Sequence, residues 1–215
     1  MLDRSNVSFS IVCWNIDGLS AKISEPGFIA YLNQFDICCL VETFTGGNFD
    51  FSTCFDDYLA MHSPGIRLSN QGRLSGGIVI LVKKALTHLV SRLDVTGDNV
   101  VVCRVKSSNS QDNIIVCTYI PPIDSPYYSN KENTHNWSHT EDLILNIQEK
   151  YPQAVILLCG DMNARIGKWD LHSDEEDTFI DKENPSWQTC ACTNFQSRQS
   201  QDDKCNTFGR ILTTM

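Results

Sequence analysis

No apolar stretch in this chain runs beyond five or six residues, as in IVILV or AVILLC, whereas a membrane-spanning helix needs roughly 20. A soluble chain is expected. The N-terminus, MLDRSNVSFSIVCWN, lacks the longer apolar segment and small-residue cleavage site of a secretory signal, so export is not expected. Repeats, heptads, low-complexity tracts and Pro/Ser-rich linkers are also missing, which leaves one domain as the default for 215 residues. There is no GxxxxGK[ST] loop, no Rossmann glycine fingerprint, and no spacing that marks a Ser/His/Asp or Cys/His nucleophile. A general excess of basic residues is lacking too. The net charge of −9 argues against holding nucleic acid by bulk electrostatics, although DLHSDEEDTFIDKE (Asp170 to Glu183) alone carries −6 of it. That stretch reads as a solvated loop, because its spacing and missing glycine do not fit an EF-hand.

Cysteine is abundant, with ten residues, but paired C-x-x-C spacing is absent. Cys13, Cys38, Cys39, Cys103, Cys117 and Cys159 lie inside apolar runs, where a reduced thiol behaves as a small hydrophobe; they are read as core thiols. Cys190, Cys192 and Cys205 lie in polar sequence without a persuasive zinc pattern. Reduced cysteines and the missing signal point to an intracellular location, with access to the nucleus required for a DNA substrate.

What is present is strands. SFSIVCW, DICCLV, YLAMH, GGIVILV, HLVSRL, NVVVCRV, NIIVCTY and AVILLC are rich in Val, Ile and Cys and bounded by Asn, Asp, Gly or Pro. Many are apolar on both faces, as interior strands of a layered fold are. NVVVCRV and NIIVCTY read as an antiparallel hairpin. One short helix is expected in PGFIAYLNQF, with Pro26 near its start. A second carries Leu143, Ile144, Ile147 and Tyr151 on one face, with Thr140 as N-cap and Glu141 and Asp142 in the first turn. FGRILTTM hints at another helix. Stacked sheets flanked by helices fit this pattern best.

Four strand-like runs end in residues suited to metal or phosphate: Asn15, Glu42, Tyr119, and Asp161 with Asn163. Singly, each has a plainer reading as a turn former, helix starter or edge-packing residue. Together they supply phosphodiester chemistry. A hard carboxylate such as Glu42 holds Mg²⁺ through oxygen while leaving positions for water and phosphate. Asp161 is placed to take a proton from an attacking water, while Asn15, Asn163 and Tyr119 offer hydrogen bonds to water and phosphate.

At these residues the chain resembles the endonuclease/exonuclease/phosphatase superfamily. WNIDGL, VETF, TYIPP and GDMNARIG are similar, in order, to motifs of apurinic/apyrimidinic-type endonucleases, and RLSGGIVILVKK resembles the glycine-containing strand of LINE-type (non-LTR) retrotransposon endonucleases. The resemblance spans roughly residues 8–168. It implies a four-layer αββα sandwich, Mg²⁺ (or Mn²⁺) dependence with Glu42 and Asn15 at the metal, catalytic Asp161, Asn163, Tyr119 and Asn15, and DNA nicking. The core is expected over 1–168, with 169–215 an acidic, incomplete end of the same domain. The family's later aspartate and terminal Ser-Asp-His motif are missing from this sequence, and none of His62, His88, His135, His139 and His172 replaces them. The expectation is a fragment with one sheet edge unpaired. Three functions follow: a DNA endonuclease domain, a phosphoesterase of the same fold acting on lipid or inositol phosphates, or an inert truncated remnant.

Overall fold

The structure, a computed structural model, describes residues 9–69, 72–107, 111–129 and 137–163, and the backbone of Phe208–Thr213. Its elements in chain order are β1 (Phe9–Asn15), α1 (Leu19–Ile23), α2 (Phe28–Leu32), β2 (Ile37–Val41), β3 (Tyr58–Ser63), β4 (Ile78–Lys83), β5 (Val90–Leu93), β6 (Val100–Val105), β7 (Asn113–Tyr119), α3 (Trp137–Lys150), β8 (Val155–Asp161) and β9 (Phe208–Thr213). All eight runs expected as strands form strands. With β9 they assemble as two mixed sheets, ordered β3-β4-β2-β1-β9 and β5-β6-β7-β8. The β1–β2 and β7–β8 pairs are parallel, and β6–β7 is the expected antiparallel pair.

Period-two alternation sends side chains to opposite faces of a strand, so a strand apolar throughout must be covered on both sides. In β1 and β2, Ile11, Cys13, Ile37, Cys39 and Val41 join a core with Val101, Cys103, Val105, Ile115, Cys117 and Cys159 of the second sheet. Their alternates Val12, Cys38 and Leu40 pack on the other face with Leu19 of α1, Phe28 and Leu32 of α2, and Phe35. On the far side of the second sheet, Val100, Val102, Ile114 and Val116 meet Ile147 of α3. Helices, sheet, sheet, helix: this is the αββα sandwich. Its core thiols are reduced, and burial pushes those of Cys38 and Cys103 up to about 12. Cys190, Cys192 and Cys205 lie outside the described residues.

Four expectations about local structure change. FGRILTTM supplies strand β9, not a helix, pairing antiparallel with β1 from Phe9↔Thr213 to Trp14↔Phe208. Backbone groups along the free side of a strand need partners, and in so short a segment that demand outweighs weak helical periodicity. The edge of β1 is therefore covered; among the described residues the edge strands are β3 and β9 of one sheet and β5 and β8 of the other. Pro26 is not the first helical residue of α2, whose N-cap is Gly27 at φ 87°. The five-residue α1 was not expected; only Leu19 of its side chains is buried, too little for a periodic signal. Nor is Thr140 an N-cap, because α3 begins at Trp137 and leaves Glu141 and Asp142 beyond its first turn.

Thr140 instead sits buried in the helix, its hydroxyl without a hydrogen-bond partner among the described residues. A buried, unsatisfied polar group costs about 1–3 kcal/mol, and valine keeps the branched shape without the hydroxyl. Thr140→Val is expected to raise unfolding stability by about 1 kcal/mol. Urea denaturation checks this, and a lower midpoint at unchanged slope would contradict it. Among the described residues, no helix is long and apolar enough to cross a membrane.

Candidate functional site

The chain leaves β1, β2, β7 and β8 at one end of the sandwich. Parallel pairing within β1–β2 and β7–β8 aligns their C-terminal ends, and packing of the sheets brings the two pairs face to face. Asn15 and Asp161, 146 residues apart in sequence, meet there: Asn15 Nδ2 donates to Asp161 Oδ2 at 2.7 Å. Tyr119 is the register partner of Asp161. Glu42 follows β2 directly, and its carboxylate lies close enough to the Tyr119 hydroxyl and the Asn15 amide for both to lower its pKa. Asn163 closes a tight turn, its N–H donating to Asp161 Oδ1 at 2.9 Å and its Nδ2 to the Ile120 carbonyl at 2.8 Å. The five residues singled out from sequence are thus one connected group.

Each side chain is oriented. The Asn15 amide is held at both ends, since Oδ1 accepts the Asp17 N–H at 3.1 Å while Nδ2 donates to Asp161. Both oxygens of Asp161 accept bonds, so its carboxylate cannot rotate freely. Tyr119 is buried, and burial followed by the neighbouring Glu42 charge raises its pKa, which keeps the phenol a hydrogen-bond donor at neutral pH. Burial also raises the pKa of Glu42, and the charges of Asp161 and Asp17 push the same way; the bonds offered by Tyr119 and Asn15 only partly offset this.

Sequence reasoning did not assign the support around Glu42. Glu42 and Phe44 both take left-handed backbone conformations, at φ 55° and 52°, a local strain of about 1–3 kcal/mol each that the surroundings must hold. They are held by Gly76 and Gly77: Thr43 N–H donates to the Gly77 carbonyl and Phe44 N–H to that of Gly76. A Cβ on Gly77 would stand 2.5 Å from Thr43 Oγ1, which accounts for the glycine pair ahead of β4. Arg73 completes the rim. Its guanidinium lies 4.1 Å from the Phe44 ring centroid and pairs with Asp17 at 3.2 Å, yet its side chain remains 64% exposed. The only signal for it was its place in RLSGG.

Two of the described histidines have other surroundings: His62 packs on the Phe51 ring at 5.0 Å, and the His139 ring lies against Gly97. His135 and His172 are outside the described residues. The hard oxygen donors here are Glu42, Asp161 and Asp17. Among the described residues no three carboxylates bring oxygens within 4.8 Å of one another; the one trio that converges so closely is of thiols, Cys39, Cys117 and Cys159, beneath the site.

The chain belongs to the Endonuclease/Exonuclease/phosphatase family, which it matches over residues 12–210. Among solved structures it is similar to the AP endonuclease LMAP from Leishmania major, at 15% identity and a TM-score of 0.57 over 76% of this chain and 57% of that one. It is also similar to an AP endonuclease from Archaeoglobus fulgidus, at 22% identity and 0.49 over 77% and 61%. A humanized D. rerio TDP2 gives 18% identity and 0.46 over 74% and 68%. The chain thus spans about three fifths of the two AP endonucleases. No curated protein matches it significantly.

Glu42 ties the site's charge to stability. An acid whose folded pKa is raised binds its proton more tightly when folded. Its contribution therefore favours folding below the unfolded carboxylate range, about pH 4.3, and is lost as pH rises through the raised value. In EDTA, Glu42→Gln is expected to melt higher than the parent chain at pH 7, with the difference vanishing towards pH 4. Melting curves across that range check it; equal pH dependence in the two chains would contradict it.

Proposed function

We propose that this chain is the DNA-nicking endonuclease domain of a retrotransposon-type protein, hydrolysing phosphodiester bonds with a divalent metal, Mg²⁺ or Mn²⁺. The observation that carries this reading is the convergence of Asn15, Glu42, Tyr119 and Asp161 at one end of the sandwich, with Asn15 hydrogen-bonded to Asp161. Asp161, fixed at both oxygens, accepts the proton of an attacking water. The Tyr119 phenol donates to a phosphate oxygen, and the Asn15 and Asn163 amides hold water and phosphate in line. Arg73, exposed at the rim, attracts the phosphate backbone in a protein whose net charge otherwise opposes it.

A divalent cation fits the oxygen donors present: Glu42, with Asn15 beside it, would hold the ion, which supplies Lewis-acid polarisation of the phosphoryl oxygens. Support for the fit is that the charges of Asp161 and Asp17 help to raise the Glu42 pKa, an effect that a cation at Glu42 would oppose. The sparse carboxylates suit an ion that keeps several of its waters. The retrotransposon branch is supported by RLSGGIVILVKK, whose Arg73, Gly76 and Gly77 are the residues that brace the Glu42 segment.

The test is conversion of supercoiled plasmid to nicked circle by the purified chain with Mg²⁺, with Mn²⁺ and with EDTA, in the presence of excess inositol phosphate as competitor. Nicking that needs the metal and resists the competitor is the expected result. Release of phosphate from the competitor with an intact plasmid would assign the site to small phosphoesters, and a folded chain inert towards both would overturn the proposal.

A further inference from the structure

Each of the four strands that ends in a site residue carries a cysteine on its inward face: Cys13 on β1, Cys39 on β2, Cys117 on β7 and Cys159 on β8. Pairing registers set these opposite one another, Cys13↔Cys39 within the first sheet and Cys117↔Cys159 within the second. The Sγ atoms of Cys39, Cys117 and Cys159 all lie within 4.8 Å of one another. Cys13 adds a fourth buried sulfur on the same inward face, register partner of Cys39 and just outside that 4.8 Å trio. All four thiols are reduced and buried.

We propose that Cys13, Cys39, Cys117 and Cys159 form a buried tetrathiolate site for Zn²⁺. A Zn–S bond of about 2.3 Å puts the sulfurs of a tetrahedron roughly 3.8 Å apart, so the trio needs to close by about 1 Å at most. Stacked sheets lie about 10 Å apart, and half that gap is what a cysteine side chain and one Zn–S bond span together. Two sulfurs come from each sheet, as a tetrahedron bridging two layers requires. Plain hydrophobic packing asks only for small apolar groups here and gives no reason for three sulfurs to converge with a fourth beside them. The ion enters as the sheets close, each ligating thiol releasing its proton to solvent. The site ties both sheets together two residues below Asn15, Tyr119 and Asp161. It is a structural centre, separate from the oxygen-ligated ion proposed at Glu42.

The test is to produce the full chain in cobalt-supplemented cells and read metal content with visible and near-ultraviolet absorption. A variant with Cys190→Ser, Cys192→Ser and Cys205→Ser removes the thiols of the polar tail. It is expected to retain about one Co²⁺ per chain, with the intense thiolate charge-transfer band and the ligand-field bands of a tetrahedral sulfur site. Cys103→Ala, a buried thiol outside the foursome, is expected to keep the same spectrum. Cys159→Ala is expected to lose or blue-shift it; if that variant does not fold, the other two decide. A folded tail variant with no thiolate band would overturn the proposal. So would a folded Cys103→Ala chain that loses the band, or a denatured thiol count that reveals disulfides among the four.

Discussion

Asp161→Asn is expected to lower the turnover number for plasmid nicking by about 10²- to 10⁴-fold, the usual contribution of a positioned proton acceptor. The substitution is nearly isosteric. The asparagine Oδ1 can still accept the N–H of Asn163 that the aspartate receives at 2.9 Å, so the turn after β8 should survive. What is lost is the proton-accepting charge, together with the charge-assisted bond from Asn15 at 2.7 Å. Initial rates across plasmid concentrations, with circular dichroism as the fold control, decide the matter. A folded Asp161→Asn chain with undiminished turnover would move the general base elsewhere.

How far the sequence reveals this site depends on which forces built each part. Strands β1 to β8 are legible because runs of Val, Ile and Cys buried on both faces have few other places to go in a layered fold. Strand ends are legible for a related reason: chemistry-bearing residues that follow such runs collect at one end of the paired strands, as Asn15, Glu42, Tyr119 and Asp161 do. The Arg73–Asp17 pair across 56 residues is a product of tertiary pairing, since β4 lies beside β2 and not beside its sequence neighbour β5. The left-handed turns at Glu42 and Phe44 are likewise held from outside, by Gly76 and Gly77. Neither local propensity nor periodicity encodes such support. The cysteines illustrate the opposite failure. Their burial was readable residue by residue, whereas their convergence follows only from the Cys13↔Cys39 and Cys117↔Cys159 registers and the stacking of the sheets.

Gly160→Ala is expected to destabilise the chain by about 3 kcal/mol or more, combining backbone strain of about 1–3 kcal/mol with an overpacking cost of similar size. Gly160 adopts φ +125° inside β8, and a Cβ there would stand 1.8 Å from the carbonyl oxygen of Thr118, its own register partner on β7. That oxygen belongs to backbone, so no rotamer change relieves the clash; the two strands must part. They would part at the worst point. One residue further on, Ile120 N–H donates to the Asp161 carbonyl at 2.9 Å, and this pairing sets Tyr119 beside Asp161. A displacement of about 1 Å in a catalytic group can cost 10²-fold in rate. Gly160→Ala should therefore lose nicking activity by at least about that factor even below its lowered melting temperature, although it alters no functional group. Chemical denaturation and single-turnover nicking measured on the same preparation check both halves. If stability falls while turnover at low temperature stays at the parent level, the β7–β8 junction does not position the site. If neither changes, the close approach of Gly160 to Thr118 is wrong.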